Sequence, residues 1–65
     1  MELTVNGERH DVAASTLADL MDALDYRGEW LATAVNGELV KASRRSERFL
    51  QDGDRIEILS PMKGG

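Results

Sequence analysis

Two copies of Val-Asn-Gly-Glu, at Val5–Glu8 and Val35–Glu38, constrain this 65-residue chain more than any other feature. A two-residue type I′ turn needs positive φ at both central positions, which glycine adopts freely and asparagine tolerates, so each copy predicts a tight β-hairpin. The strands fall near 2–5 and 8–12 in the first hairpin and near 31–35 and 38–40 in the second. Because side chains alternate along a strand, counting outward from each turn assigns the faces. Val5 then stands opposite Glu8, Leu3 opposite His10 and Met1 opposite Val12, with Leu3, Val5 and Val12 turned inward. In the second hairpin Thr33, Val35 and Val40 share one face while Ala34 and Leu39 take the other. Leu39 is thereby predicted to be an exposed apolar residue.

Between the hairpins the period changes. Leu17, Leu20, Met21 and Leu24 recur at the spacing of one helix face, and Ser15 or Thr16 can cap the first free N–H groups. This predicts an amphipathic helix of about three turns within 15–25, ended by Gly28 in a left-handed conformation with Tyr26 and Trp30 closing over it. Asp19 and Asp22 fall on its solvent side. The stretch KASRRSERFL shows no clean period and reads as a loop or short 3₁₀ turn, with Arg44, Arg45 and Arg48 solvated and Phe49 and Leu50 turned inward. After a turn at Gln51-Asp52-Gly53-Asp54, the alternation in Arg55–Leu59 predicts a last strand with Ile56 and Ile58 inside. Leu59 then faces outward with Leu39. Two hairpins, one helix and a final strand predict an α+β fold of the ubiquitin-like β-grasp type, a mixed sheet of about five strands around one helix.

Composition removes most chemistries. With no cysteine in the chain there is no disulfide, thiolate nucleophile or persulfide, and a reducing cytoplasm is the natural setting. A net charge of −4 argues against nucleic acid, and no apolar run reaches membrane-spanning length. His10 is the only histidine and builds no zinc site alone, so it reads as a partly buried structural residue, and no metal is expected. Neither of the familiar phosphate-cradling glycine motifs is present, which leaves no cofactor bound by the chain itself.

What stands out is the ending, Ser60-Pro61-Met62-Lys63-Gly64-Gly65. Residues 1–59 are expected to form the folded domain and 60–65 a flexible C-terminal tail, because Pro61 has no N–H to continue a ladder and the two glycines have no side chain to anchor. An extended tail from Ser60 reaches roughly 20 Å. Gly64, Lys63 and Met62 would thread into a narrow partner site and deliver the carboxylate of Gly65, while Ala34, Leu39 and Leu59 would dock the domain. Activated by a phosphoryl or adenylyl group, such a carboxylate becomes open to attack by sulfur or by an amine.

The stretches AVNGELV at 34–40 and LQDGDRIEILSPMKGG at 50–65 resemble the ThiS family, the small sulfur carriers of thiamin biosynthesis, and the likeness extends over essentially the whole chain. The resemblance implies that Gly65 is adenylated by an E1-like adenylyltransferase of the ThiF type, which uses the ATP. It further implies conversion to a thiocarboxylate with sulfur from a cysteine desulfurase, and delivery to a thiazole synthase of the ThiG type. The carrier itself would catalyse nothing. Where many relatives have proline and a basic residue after the second hairpin, this chain has Lys41-Ala42-Ser43, so the resemblance implies no contacts for that loop. The alternatives are the small subunit of molybdopterin synthase, which shares fold and tail but is typically longer, and a ubiquitin-like protein modifier.

Overall fold

In the computed structural model, which describes residues 1–28 and 30–60, the chain runs β1 (Glu2–Val5), β2 (Glu8–Asp11), α1 (Leu17–Ala23), β3 (Ala32–Val35), β4 (Glu38–Val40), a 3₁₀ segment (Ala42–Glu47) and β5 (Arg55–Leu59). The strands form one sheet in the order β2-β1-β5-β3-β4. β5 lies parallel to β1 and antiparallel to β3, so the last strand fills the gap between the two hairpins and makes the sheet mixed. This is the ubiquitin-like β-grasp. Leu3, Val5, Val35, Ile56 and Ile58 of the sheet pack against Leu17, Leu20 and Met21 of α1, with Leu31 and Leu50 completing the core. No helix among the described residues is long and apolar enough to cross a membrane.

Both hairpins take the predicted register. Leu3 stands opposite His10, Val5 opposite Glu8, Thr33 opposite Val40 and Ala34 opposite Leu39. Asn6, Gly7, Asn36 and Gly37 all have positive φ, as the turn type requires. The asparagines do more than turn the chain. Asn6 clasps the backbone of Ile58 with both ends of its amide, donating from Nδ2 to the carbonyl oxygen at 3.0 Å and accepting the N–H at Oδ1 at 2.8 Å. Asn36 accepts the N–H of Arg55 at Oδ1 at 2.9 Å and donates its own backbone N–H to the Arg55 carbonyl at 2.7 Å. Ladder pairing between β1 and β5 covers only Thr4 with Arg55 and Val5 with Ile56, so the Asn6 side chain continues on that side where the strand pairing stops.

Five local expectations are corrected. The helix has seven residues, about two turns rather than three. Thr16 is extended and is the N-cap: its hydroxyl accepts the N–H of Asp19, and the Asp19 carboxylate accepts the N–H groups of Thr16 and Ser15. Asp19, expected only to face solvent, is thus half of a capping box. At the other end the left-handed residue is Asp25, at φ 65°, not Gly28. The N–H of Tyr26 reaches the carbonyl of Met21 at 2.7 Å and that of Asp25 reaches Asp22 at 3.1 Å, the paired bonds of a Schellman motif. Gly28 bends the chain further on, at φ 127°, where a Cβ would lie 3.1 Å from the Trp30 ring.

Phe49 is 65% exposed instead of inward. The N–H of Leu50 bonds to the carbonyl of Ser15 and that of Leu17 to Arg48, while Thr16 and Phe49 form a bridge. This pairing turns Leu50 into the core, and its neighbour in an extended chain must point out. Arg45 is buried instead of solvated. Its guanidinium donates to the carbonyl oxygen of Leu31, to Thr33 Oγ1 at 3.2 Å and to the Gly28 carbonyl at 3.4 Å, tying the 3₁₀ segment to the start of β3.

Two substitutions test these clasps. Asn6→Gly keeps the turn's φ but removes both side-chain bonds to Ile58, and should lower unfolding stability in urea by about 1–3 kcal/mol. Arg45→Met keeps the apolar stem but leaves buried acceptors unpaired, and a loss of about 1–3 kcal/mol is expected. Full stability in either variant would show that the clasp contributes nothing.

Candidate functional site

The strand alternation that buries Ile56 and Ile58 turns Leu59 outward, and the same alternation in β3 and β4 turns out Ala34 and Leu39. The register brings these residues onto one outer face. Leu39 lies beside Ala34, Ala34 beside Glu57, and one row further along Ala32 lies beside Leu59. Leu39 is 84% and Leu59 62% exposed. From strand spacing and rise the two leucines stand roughly 12 Å apart, so they are separate protrusions with the low alanines between them. Such a surface, two apolar points flanking a saddle, suits a convex apolar group from another protein. Ala32 and Glu57 also belong to it, and the same alternate count along β3 and β5 would have placed them there. Glu57 puts one carboxylate within the patch.

Leu59 also marks the root from which residues 60–65 depart. It is held by β3 through the pairing with Ala32, and the preceding residue is held on both sides, by Thr33 in β3 and by the Asn6 amide. The outer patch therefore sits on the strand that leads into the tail. Asn6 was legible as a turn residue only, since nothing in its immediate sequence shows that its amide meets a strand about fifty residues later. Met62, Lys63, Gly64 and Gly65, the predicted threading and reactive residues, lie outside the described residues.

Of the other titratable side chains, His10 and Arg27 have local partners. His10 is partly buried opposite Leu3, with Nε2 3.7 Å from the Glu8 carboxylate. Arg27 meets Asp25 at 2.8 Å and Asp22 at 3.3 Å, and the hydrogen bond to Asp25, with the charges of both carboxylates, raises its pKa. Among the described residues no three histidine, aspartate or glutamate side chains gather as a metal site. No buried side-chain polar atom among them lacks a partner.

Comparison with known proteins agrees with the fold. The sequence model of the ThiS family matches residues 3–65. The chain is 30% identical to the sulfur carrier protein ThiS of Escherichia coli strain K12, with all of both chains covered. All of it also aligns, at 33% identity, with one fifth of a thiazole synthase from Paramagnetospirillum magneticum. Among solved structures, the crystal structure of the thiamine biosynthesis protein ThiS from Geobacter metallireducens superposes with a TM-score of 0.83 at 35% identity, again over all of both chains.

The two faces of the sheet should respond differently to substitution. Leu39→Asp changes an exposed side chain and is expected to leave stability within about 1 kcal/mol. Ile58→Ala, on the buried face of the neighbouring strand, should cost about 2–5 kcal/mol. Thermal or urea unfolding checks both, and a large loss from Leu39→Asp would remove that residue from any surface role.

Proposed function

The chain belongs to the ThiS family of sulfur carriers that serve thiamin biosynthesis, and on that premise we propose that the carboxylate of Gly65 is the group that carries the sulfur. What supports this most is the absence of cysteine from the whole sequence. A cysteine-free carrier has no thiol on which to hold a persulfide, and a terminal carboxylate remains as a site where oxygen can be exchanged for sulfur. A carboxylate is a poor electrophile, so it must first be activated. Adenylation by an E1-like enzyme of the ThiF type, at the expense of ATP, gives an acyl anhydride and releases pyrophosphate. The outer sulfur of a persulfide generated by a cysteine desulfurase then attacks the acyl carbon and AMP leaves; a thiol, itself oxidised to a disulfide, reduces the resulting acyl disulfide and frees the terminus as a thiocarboxylate.

In this reading the chain is a protein cosubstrate and not an enzyme, and the receiving partner is a thiazole synthase. The alignment of the whole chain with part of one thiazole synthase supports that partner, because a carrier joined to the enzyme it supplies gains effective concentration. Ala34, Leu39 and Leu59 dock the domain, and Met62, Lys63 and Gly64 pass through the partner's channel. Glycine at the last two positions offers the least bulk that a peptide can present there.

Incubation with an E1-like enzyme, ATP and a sulfur donor should raise the intact mass by the difference between sulfur and oxygen at one site. Removal of Gly64 and Gly65 should abolish the shift while leaving the fold intact. Sulfur on the truncated chain would overturn the reading, and a lysine conjugate in place of a thiocarboxylate would make the protein a modifier. Leu39→Asp should slow loading and weaken binding to thiazole synthase without unfolding the domain. Unchanged partner affinity would take the outer face out of the docking surface.

A further inference from the structure

The chain carries a net charge of −4, yet four of its eight basic residues fall within Lys41–Arg48. Arg45 is buried and spent on three protein acceptors. The other three, Lys41, Arg44 and Arg48, line an open groove of about 490 Å³ between β4 and the 3₁₀ segment, where Leu39, Val40 and Glu47 complete the walls. Arg44 is occupied by Glu47 at 3.0 Å. Neither Lys41 nor Arg48 has a carboxylate in salt-bridge contact among the described residues. The nearby Glu38, at the far end of β4, is the one further carboxylate on the groove.

The sheet order leaves β4 at an edge. In a hairpin with a two-residue turn the flanking pair, Val35 with Glu38, exchanges both backbone bonds, and so does the pair Thr33 with Val40. The N–H and C=O of Leu39 therefore point away from β3, toward the side on which another strand can be added. Its side chain is the most exposed of the large apolar residues. One edge thus combines a free donor and acceptor, an apolar point and two cations without acidic partners.

We propose that this groove takes an extended segment of a partner protein, acidic with interspersed apolar residues, which pairs its backbone with the edge of β4 and sets its carboxylates against Lys41 and Arg48. Addition of a strand to a sheet edge supplies backbone bonds for affinity and alternate side chains for selectivity. The charge sets which segments are accepted: a basic strand is repelled, and an acidic one is steered in. Leu39 belongs both to this edge and to the outer face, so the segment belongs to the protein that docks there. That identification of the partner rests on the carrier reading, whereas the chemistry of the groove rests on the geometry.

The test is a titration of isotope-labelled protein with a capped peptide alternating glutamate and isoleucine, followed by amide shifts and exchange. Shifts are expected at 38–41 and 44–48, with slowed exchange of the Leu39 N–H, and a peptide alternating lysine and isoleucine should produce none. The double variant Lys41→Glu, Arg48→Glu should bind about tenfold more weakly, as loss of two exposed ion pairs and new repulsion imply. Should that variant fail to fold, the unmodified protein in about 1 M salt, where screening acts within about 3 Å, should show the same weakening. The proposal is overturned by an equal response to the lysine peptide, by shifts elsewhere, or by none at millimolar peptide. Shifts of the same amides on concentrating the protein alone would overturn it too, by making the groove a contact between copies. If the peptide leaves the groove untouched while Leu39→Asp still blocks sulfur loading, the groove fails and the carrier reading stands. If the peptide binds and no sulfur reaches Gly65, the carrier reading fails and the groove stands.

Discussion

The insertion of β5 between the two hairpins is the interaction on which the rest of the structure depends. Neither hairpin alone has enough apolar area to be stable in water, and a two-stranded ribbon is marginal at best. β5 joins them by pairing with β1 on one side and β3 on the other. Each turn asparagine closes on it as well, Asn6 at Ile58 and Asn36 at Arg55. Ile56 and Ile58 complete the core beneath. The strand made last is thus the central strand of the sheet.

That placement ties fold to function. Leu59 ends the central strand of the sheet and not an edge, so a pull on the chain beyond it would be met by ladders on both sides of that strand. An edge strand in the same position could be peeled away one bond at a time. A central strand must break pairings on two sides together, and Asn6 supplies one of those sides where β1 no longer reaches. In the proposed reading this lets the domain be held by its outer face while its last residues are engaged elsewhere.

Much of this was legible because a two-residue turn leaves no freedom in register. Once Asn-Gly is taken as a type I′ turn, the faces of Leu3, Val5, Thr33, Val35 and Leu39 follow by counting. Counting fails where no turn sets the phase. Phe49 and Leu50 are adjacent and both apolar, and only the bond from Leu50 to Ser15, distant in sequence, decides which one is buried. Arg45 resembles its neighbours Arg44 and Arg48 in the sequence, and its burial depends on three acceptors presented by the chain between 28 and 33. Gly28 was the natural stop for a helix. Asp25 takes the left-handed position instead, because its place one residue after Leu24 lets Tyr26 close on Met21. The missed features are all contacts between segments remote in sequence or choices between equivalent local candidates.

For the docking role proposed for it, the outer face carries few apolar groups. Two exposed leucines, separated by alanines and bordered by Glu57, bury far less apolar area than a stable interface requires. For a carrier this smallness has a physical use. It must leave one protein loaded and reach another, and dissociation rate, more than association rate, responds to the quality of such contacts. A larger apolar face would hold each partner longer and would expose the free domain to self-association. Tight binding on the sheet would therefore oppose turnover. In the proposed reading, the selectivity that a small patch cannot provide comes from elsewhere, from the shape of a partner channel that would accept the two glycines and from charge at the rim of the outer face.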